Sequence, residues 1–273
     1  MYPYISEDLR KYLAVFKISA ANVFQYRLNF LIGRARDLIL LATLYYLWKT
    51  IFGPAQNLFG YTLAAMFTYV AGSHLARALV LLTNTTNIAS EITGGGKFFA
   101  YLVRPVSYLK YWFTVDLAMK IIEFPFALLE IVIIAKFFKI DLIFQTNPLI
   151  ILATIISVLL ALILNFYLGY LVSLAAFWTP QAWGPRFLFD LLLSFSAGAF
   201  FPLDVFGKMA QTIFASLPFY YLLFFPINVY LGRIAPVNIF IGFIITLSWV
   251  VVIATITQFV WQAGLRAYEG GGI

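Results

Sequence analysis

Long apolar runs separated by short polar breaks occupy nearly the whole chain, and the positions of the breaks define its elements. Residues 5–28 come first. Leu9, Leu13, Phe16, Ala20 and Val23 recur at spacings of four and three, while Arg10, Lys11, Lys17, Asn22 and Gln25 fall elsewhere. That period predicts an amphipathic helix, and its basic polar face suits the membrane surface better than a crossing. Six apolar stretches follow, over 30–52, 58–82, 108–138, 149–177, 186–201 and 237–261. Several reach the roughly 20 residues needed to cross about 30 Å of hydrocarbon. The third is the longest; at 1.5 Å per residue it spans roughly 46 Å, so it must tilt or begin in the interface. Pro125 is expected to kink it. Residues 202–236 differ, because Pro202, Pro218, Pro226 and Pro236 divide them into pieces too short to cross. Apolar pieces of that length predict a re-entrant segment.

The remaining break, 89–107, is neither a span nor a simple turn. Glu91 opens it, Gly94, Gly95 and Gly96 loosen it, and Lys97 to Arg104 predict one short amphipathic helix that Pro105 stops. Phe98, Phe99 and Leu102 supply its apolar surface, and Lys97 and Arg104 supply charge. A short helix tethered at both ends to spans is a suitable shape for docking on a soluble partner.

Composition agrees with a membrane class. Hydrophobic residues make up 63% and charged residues 11% of the chain, against about 25% charged in soluble domains, and mean hydropathy is +0.93. The expected fold is therefore an all-α polytopic membrane protein of one domain, 1–273, with six transmembrane helices. No cleavable signal peptide is expected. The net charge of +7 reads as cationic loops against lipid headgroups rather than as a nucleic-acid surface. With the N-terminus inside, twelve lysines and arginines flank the inner ends of the spans and five flank the outer ends, which places both termini in the cytoplasm.

Candidate chemistry is sparse. The chain has no cysteine and one histidine, His74, so neither a zinc site nor a His-based triad is expected, and no catalytic residue is assigned. Gly94-Gly95-Gly96-Lys97 fails as a phosphate loop. Glu91 stands where the first glycine belongs, and Phe98 stands where the magnesium-ligating hydroxyl belongs. Asp116, Glu123 and Glu130 recur every seven residues and share a helix face, with Lys120 one turn after Asp116. Two explanations stand: a polar stripe on a substrate or proton route, or structural pairing with Arg34, Arg77 or Lys120. Phe195, Phe200 and Phe201, beside small residues, are candidates to line a hydrophobic passage.

With this layout the chain resembles a permease subunit of the type-2 ATP-binding cassette exporters. The resemblance rests on the interfacial helix reaching Gln25-Tyr-Arg-Leu-Asn-Phe30 and on Glu91 to Ser107, which resembles a coupling helix. It rests further on Ser196-Ala-Gly-Ala-Phe-Phe-Pro-Leu203 with Leu217-Pro-Phe-Tyr220 and 226–232, which resemble an external re-entrant hairpin between spans five and six. The ending Gly264-Leu-Arg-Ala-Tyr268 is similar to that of a bacterial subgroup. The resemblance implies a second permease subunit, identical or different, and separate ATPase subunits that hold ATP and magnesium. It implies coupling through Glu91, Lys97, Phe98, Phe99, Leu102 and Arg104, and outward transport of a hydrophobic or amphipathic cargo, with Glu123, Glu130 and the three phenylalanines as a possible path. A bacterial plasma membrane is the natural setting. The alternative is a proton-coupled secondary transporter using the acidic stripe. An intramembrane enzyme is disfavoured, because its acid, base or metal ligands would have to converge near one interface.

Overall fold

A computed structural model describes residues 7–25, 27–94, 96–103, 106–179, 181 and 183–268. Eleven α-helices occur among them: α1 (Glu7–Gln25), α2 (Arg27–Phe52), α3 (Leu63–Ala76), α4 (Thr86–Thr93), α5 (Gly96–Leu102), α6 (Tyr108–Phe138), α7 (Pro148–Ser173), α8 (Trp183–Ser196), α9 (Gly207–Ala215), α10 (Phe224–Tyr230) and α11 (Pro236–Ala267). α1 packs along α6, and α7 is flanked by α10 and α11. The helix expected over 108–138 is α6, unbroken through Pro125.

Among the described residues, three helical stretches are long and apolar enough to cross a membrane: the one starting at Leu63, Pro148–Phe177 and Pro236–Ala267. Leu203–Ala215 and Pro218–Tyr230 together form a fourth candidate, bent by 105°. That count falls short of six for two physical reasons. α2 and α6 have 26 and 31 residues, enough to cross, but their sequences carry Arg34, Arg36 and Asp37 in one and Asp116, Lys120, Glu123 and Glu130 in the other. α8 has only 14 residues, about 21 Å at 1.5 Å each.

The stretch expected to begin a span at residue 58 starts differently. Asn57–Leu58 and Tyr61–Thr62 pair as a two-residue antiparallel hairpin. Phe59 and Gly60 both take positive φ, 55° and 76°, as a two-residue turn of the right twist requires. Thr62 then caps α3 by accepting from the Ala65 amide.

This hairpin anchors the bent α9–α10 unit. The Tyr61 hydroxyl donates to Asp204 Oδ2 at 2.7 Å, Gln211 Nε2 donates to Asp204 Oδ1 at 2.8 Å, and Arg233 pairs with Asp204 at 3.1 Å. The Arg233 guanidinium also lies 3.4 Å above the Tyr61 ring. Burial, then the Asp204 carboxylate, pushes the Tyr61 hydroxyl well above the ordinary phenol range, so it remains a donor. Asp204→Ala removes three partners at once. It is expected to cost about 1–3 kcal/mol locally and to speed amide exchange over 203–217 while leaving α7 and α11 protected. Hydrogen–deuterium exchange checks this.

Candidate coupling site

The break at 89–107 folds as two short helices rather than one. α4 ends at Thr93, Gly94 caps it, and α5 begins at Gly96. The glycine run follows a helix and not a buried strand, so the chain has no frame for a nucleotide's phosphates here. Arg104 lies outside the described residues, as do the side chains of Lys97 and Leu102.

Phe98 turns inward, which corrects its expected place on an outward apolar face. It is fully buried, with ring centroids of Tyr268 at 5.0 Å, Tyr108 at 5.3 Å, Phe177 at 5.6 Å and Trp261 at 5.9 Å. All but one of these contacts are edge-on by more than 75°, the favoured arrangement of aromatic quadrupoles. A seven-residue helix cannot hold itself in water, so its position comes from this cage. Tyr108 adds a hydrogen bond to Glu91 Oε2 at 3.0 Å and stacks on Trp261 at 5.4 Å. Phe99 and Val103 point the other way, 58% and 73% exposed, one turn apart. One face of α5 is thus fastened to the ends of α6, α7 and α11, and the other is open.

The cage was not legible in the sequence, although Gly264 was a signal for it. A Cβ there would run into the Phe177 ring, so the glycine lets α11 approach closely enough for Trp261 and Tyr268 to reach Phe98.

The acidic stripe of α6 is consumed by pairing. Asp116 meets Lys120 at 2.7 Å and accepts from the Asn84 amide at 2.8 Å. Lys120 also donates to the Val80 carbonyl, which Asn165 caps from α7 at 2.6 Å. That carbonyl belongs to a π-helical turn, Arg77–Leu81, that ends α3. Arg34 of α2 reaches Glu123 at 2.6 Å, Glu130 at 3.2 Å and Asp37 at 3.0 Å, and His74 meets the other Glu130 oxygen at 2.7 Å. All three carboxylates therefore have partners: Glu123 and Glu130 on neighbouring helices, and Asp116 on α6 itself and in the α3–α4 connection. Arg77, the other suggested partner, instead donates to the Ala199 carbonyl and lies over Phe200.

The three passage phenylalanines do not converge. Phe195 packs on Phe206 and Phe214, Phe200 sits under Arg77, and Phe201 meets Trp48 of α2.

Two outcomes follow from these contacts. Phe98→Ala is expected to destabilise the α5 docking by about 3–5 kcal/mol, read as accelerated exchange across 96–103 and 260–267 together. Arg34→Met leaves two buried carboxylates without their cation and is expected to lower stability by about 3–5 kcal/mol. Adding Glu123→Gln and Glu130→Gln restores most of that loss in a thermal-unfolding measurement in detergent, since the orphaned charges are gone.

A family model described as ABC-2 family transporter protein matches residues 38–272, most of the chain. No curated protein and no solved structure matches it. Membrane subunits of that family generally work with ATP-binding cassette ATPases and are typically not themselves the ATPase. An all-α, multi-pass chain agrees with the match, and this protein belongs to the ABC-2 transporter family as a permease subunit.

Proposed function

We propose that this chain is the membrane-spanning subunit of an ATP-driven exporter. Two such subunits pair, as a homodimer or heterodimer, and a separate ATPase holding ATP and magnesium docks beneath each. α5 receives the ATPase's motion and passes it through the Phe98 cage to α6, the end of α7 and α11. The spans rock, and a hydrophobic or amphipathic cargo leaves the cytoplasm. The single observation that carries this reading is the two-faced α5: caged within by Phe98, open without at Phe99 and Val103.

In this proposal six helices cross: α2, α3, α6, α7, α8 and α11, with the bent α9–α10 unit re-entering from outside. α2 and α6 cross despite their charges because Arg34, Glu123 and Glu130 meet each other between them. Leu28, Ile32 and Ile39 of α2, and Leu129 and Val132 of α6, remain exposed as a lipid-compatible surface. Both termini lie in the cytoplasm of a bacterial cell, on the twelve-to-five distribution of basic residues. Glu91 orients the coupling segment through its bond to Tyr108, and Lys97, Leu102 and Arg104 complete the docking surface. The proton-coupled alternative is not favoured, because Arg34 and His74 already engage Glu123 and Glu130.

Co-purification with the ATPase encoded beside it tests the proposal. Wild type is expected to retain the ATPase, and a Phe99→Asp, Val103→Asp variant to lose it by about a hundredfold in affinity while keeping its thermal midpoint, as removal of a central apolar contact does. A folded wild type that retains no ATPase contradicts the proposal.

A further inference from the structure

Arg186, in the first turn of α8, is the most heavily bonded side chain outside the elements already described. It is 8% exposed. Its Nη1 donates to Thr85 Oγ1 at 3.1 Å, to the Gly169 carbonyl at 3.0 Å and to Ser173 Oγ at 3.1 Å. Its Nε lies 3.0 Å from both Asp190 carboxylate oxygens. Gly169 makes room for this, since a Cβ there would press on the Thr85 hydroxyl that Nη1 bonds. One nitrogen is left over. Nη2, with two N–H donors, has no acceptor among the described residues. Arg186 lines a cleft of about 210 Å³ together with Thr83, Thr86, Asn165, Asp190 and Ser194. A guanidinium held rigidly by three acceptors and a carboxylate, with one amino group left for the cleft, is built like an oxyanion site.

The surroundings narrow the ligand. Asp190 balances the charge of Arg186 and is half-exposed at the rim, its side chain 47% accessible. A net anion would meet that carboxylate, whereas a phosphate with an ammonium group a few bonds away would satisfy both residues. On the neighbouring face of α8, Phe187, Leu191 and Phe195 form an exposed apolar row. Thr86, the first residue of α4, lines the same cleft.

We infer that this cleft binds the zwitterionic phosphate headgroup of an amphiphile, the phosphate on Arg186 Nη2 and the ammonium on Asp190, with the tail along the apolar row of α8. As a loading point for cargo the inference rests on the export proposal; as a binding site it does not.

The test titrates the purified chain in detergent with phosphatidylethanolamine, phosphatidylglycerol and inorganic phosphate, counting bound ligand by native mass spectrometry. Phosphatidylethanolamine is expected to bind about tenfold or more tighter than phosphatidylglycerol, and inorganic phosphate weakest, consistent with a paired-charge contact. Arg186→Lys keeps the charge but loses the fork. Ser194→Leu fills the cleft without touching any bond of Arg186. Each is expected to weaken phosphatidylethanolamine about tenfold or more, and Asp190→Asn to abolish the preference between the two lipids. Should Arg186→Lys fail to fold, Ser194→Leu decides. Equal phosphatidylethanolamine binding in wild type and folded Ser194→Leu overturns the inference, as does phosphatidylglycerol or free phosphate binding as tightly. No ATPase enters the assay, so failure here and failure to hold an ATPase are separate results.

Discussion

Charge that cannot reach water has to be answered within the protein, and that constraint organises the bundle. Arg34 stands between Glu123 and Glu130 and thereby fixes α2 against α6; His74 joins α3 to the same group. At the other end of the stripe, Asp116 and Lys120 hold the α3–α4 connection through the Asn84 amide and the Val80 carbonyl. The Arg34 and His74 pairs cross between helices. In hydrocarbon, where apolar side chains have no preference for protein over lipid, such polar contacts and close packing are what define neighbours. The π-turn at 77–81 fits this scheme, since its Val80 carbonyl receives both Lys120 and Asn165. Whatever else the stripe does, it is a seam between helices.

The coupling segment obeys a different rule. Nothing in α5 is intrinsically stable, and its orientation derives from one phenylalanine in a ring of four aromatic residues drawn from α6, α7's extension and α11. An interior packed this closely transmits displacement rather than absorbing it. Phe98, next to the exposed Phe99, meets Trp261 directly at 5.9 Å between ring centroids, the contact through which the proposed coupling would pass. Asp204 fastens the α9–α10 unit separately, so the two sites are held by unrelated chemistry: rings at one, a carboxylate with three partners at the other.

What the sequence makes legible is what periodicity and charge balance can carry. The extent of α6 and the sevenfold spacing of its carboxylates are both visible as patterns along one helix. The direction of Phe98 is not, because in a seven-residue helix either Phe98 or Phe99 could face the bundle, and only Tyr108, Trp261 and Tyr268 decide between them. The hairpin at 57–62 is hidden inside an apolar run, since Leu58, Phe59 and Tyr61 read as the start of a span; positive φ at Phe59 has no sequence signature. Arg186 reads as an interfacial charge until Thr85, Gly169 and Ser173, distant in sequence, gather around it. Six crossings remain a proposal because α2 and α6 are too charged, and α8 too short, to be recognised as spans one by one.

The most direct test of the central claim, that α5 drives α11 through the Phe98 cage, is amide exchange over residues 260–267 in the chain reconstituted with its ATPase, with and without ATP. The account predicts that ATP changes protection there in wild type, and that Phe98→Ala abolishes the change while the ATPase stays bound through Phe99 and Val103. If wild type shows no ATP-dependent change, or if the response survives in Phe98→Ala, the cage is packing alone and the lever lies elsewhere.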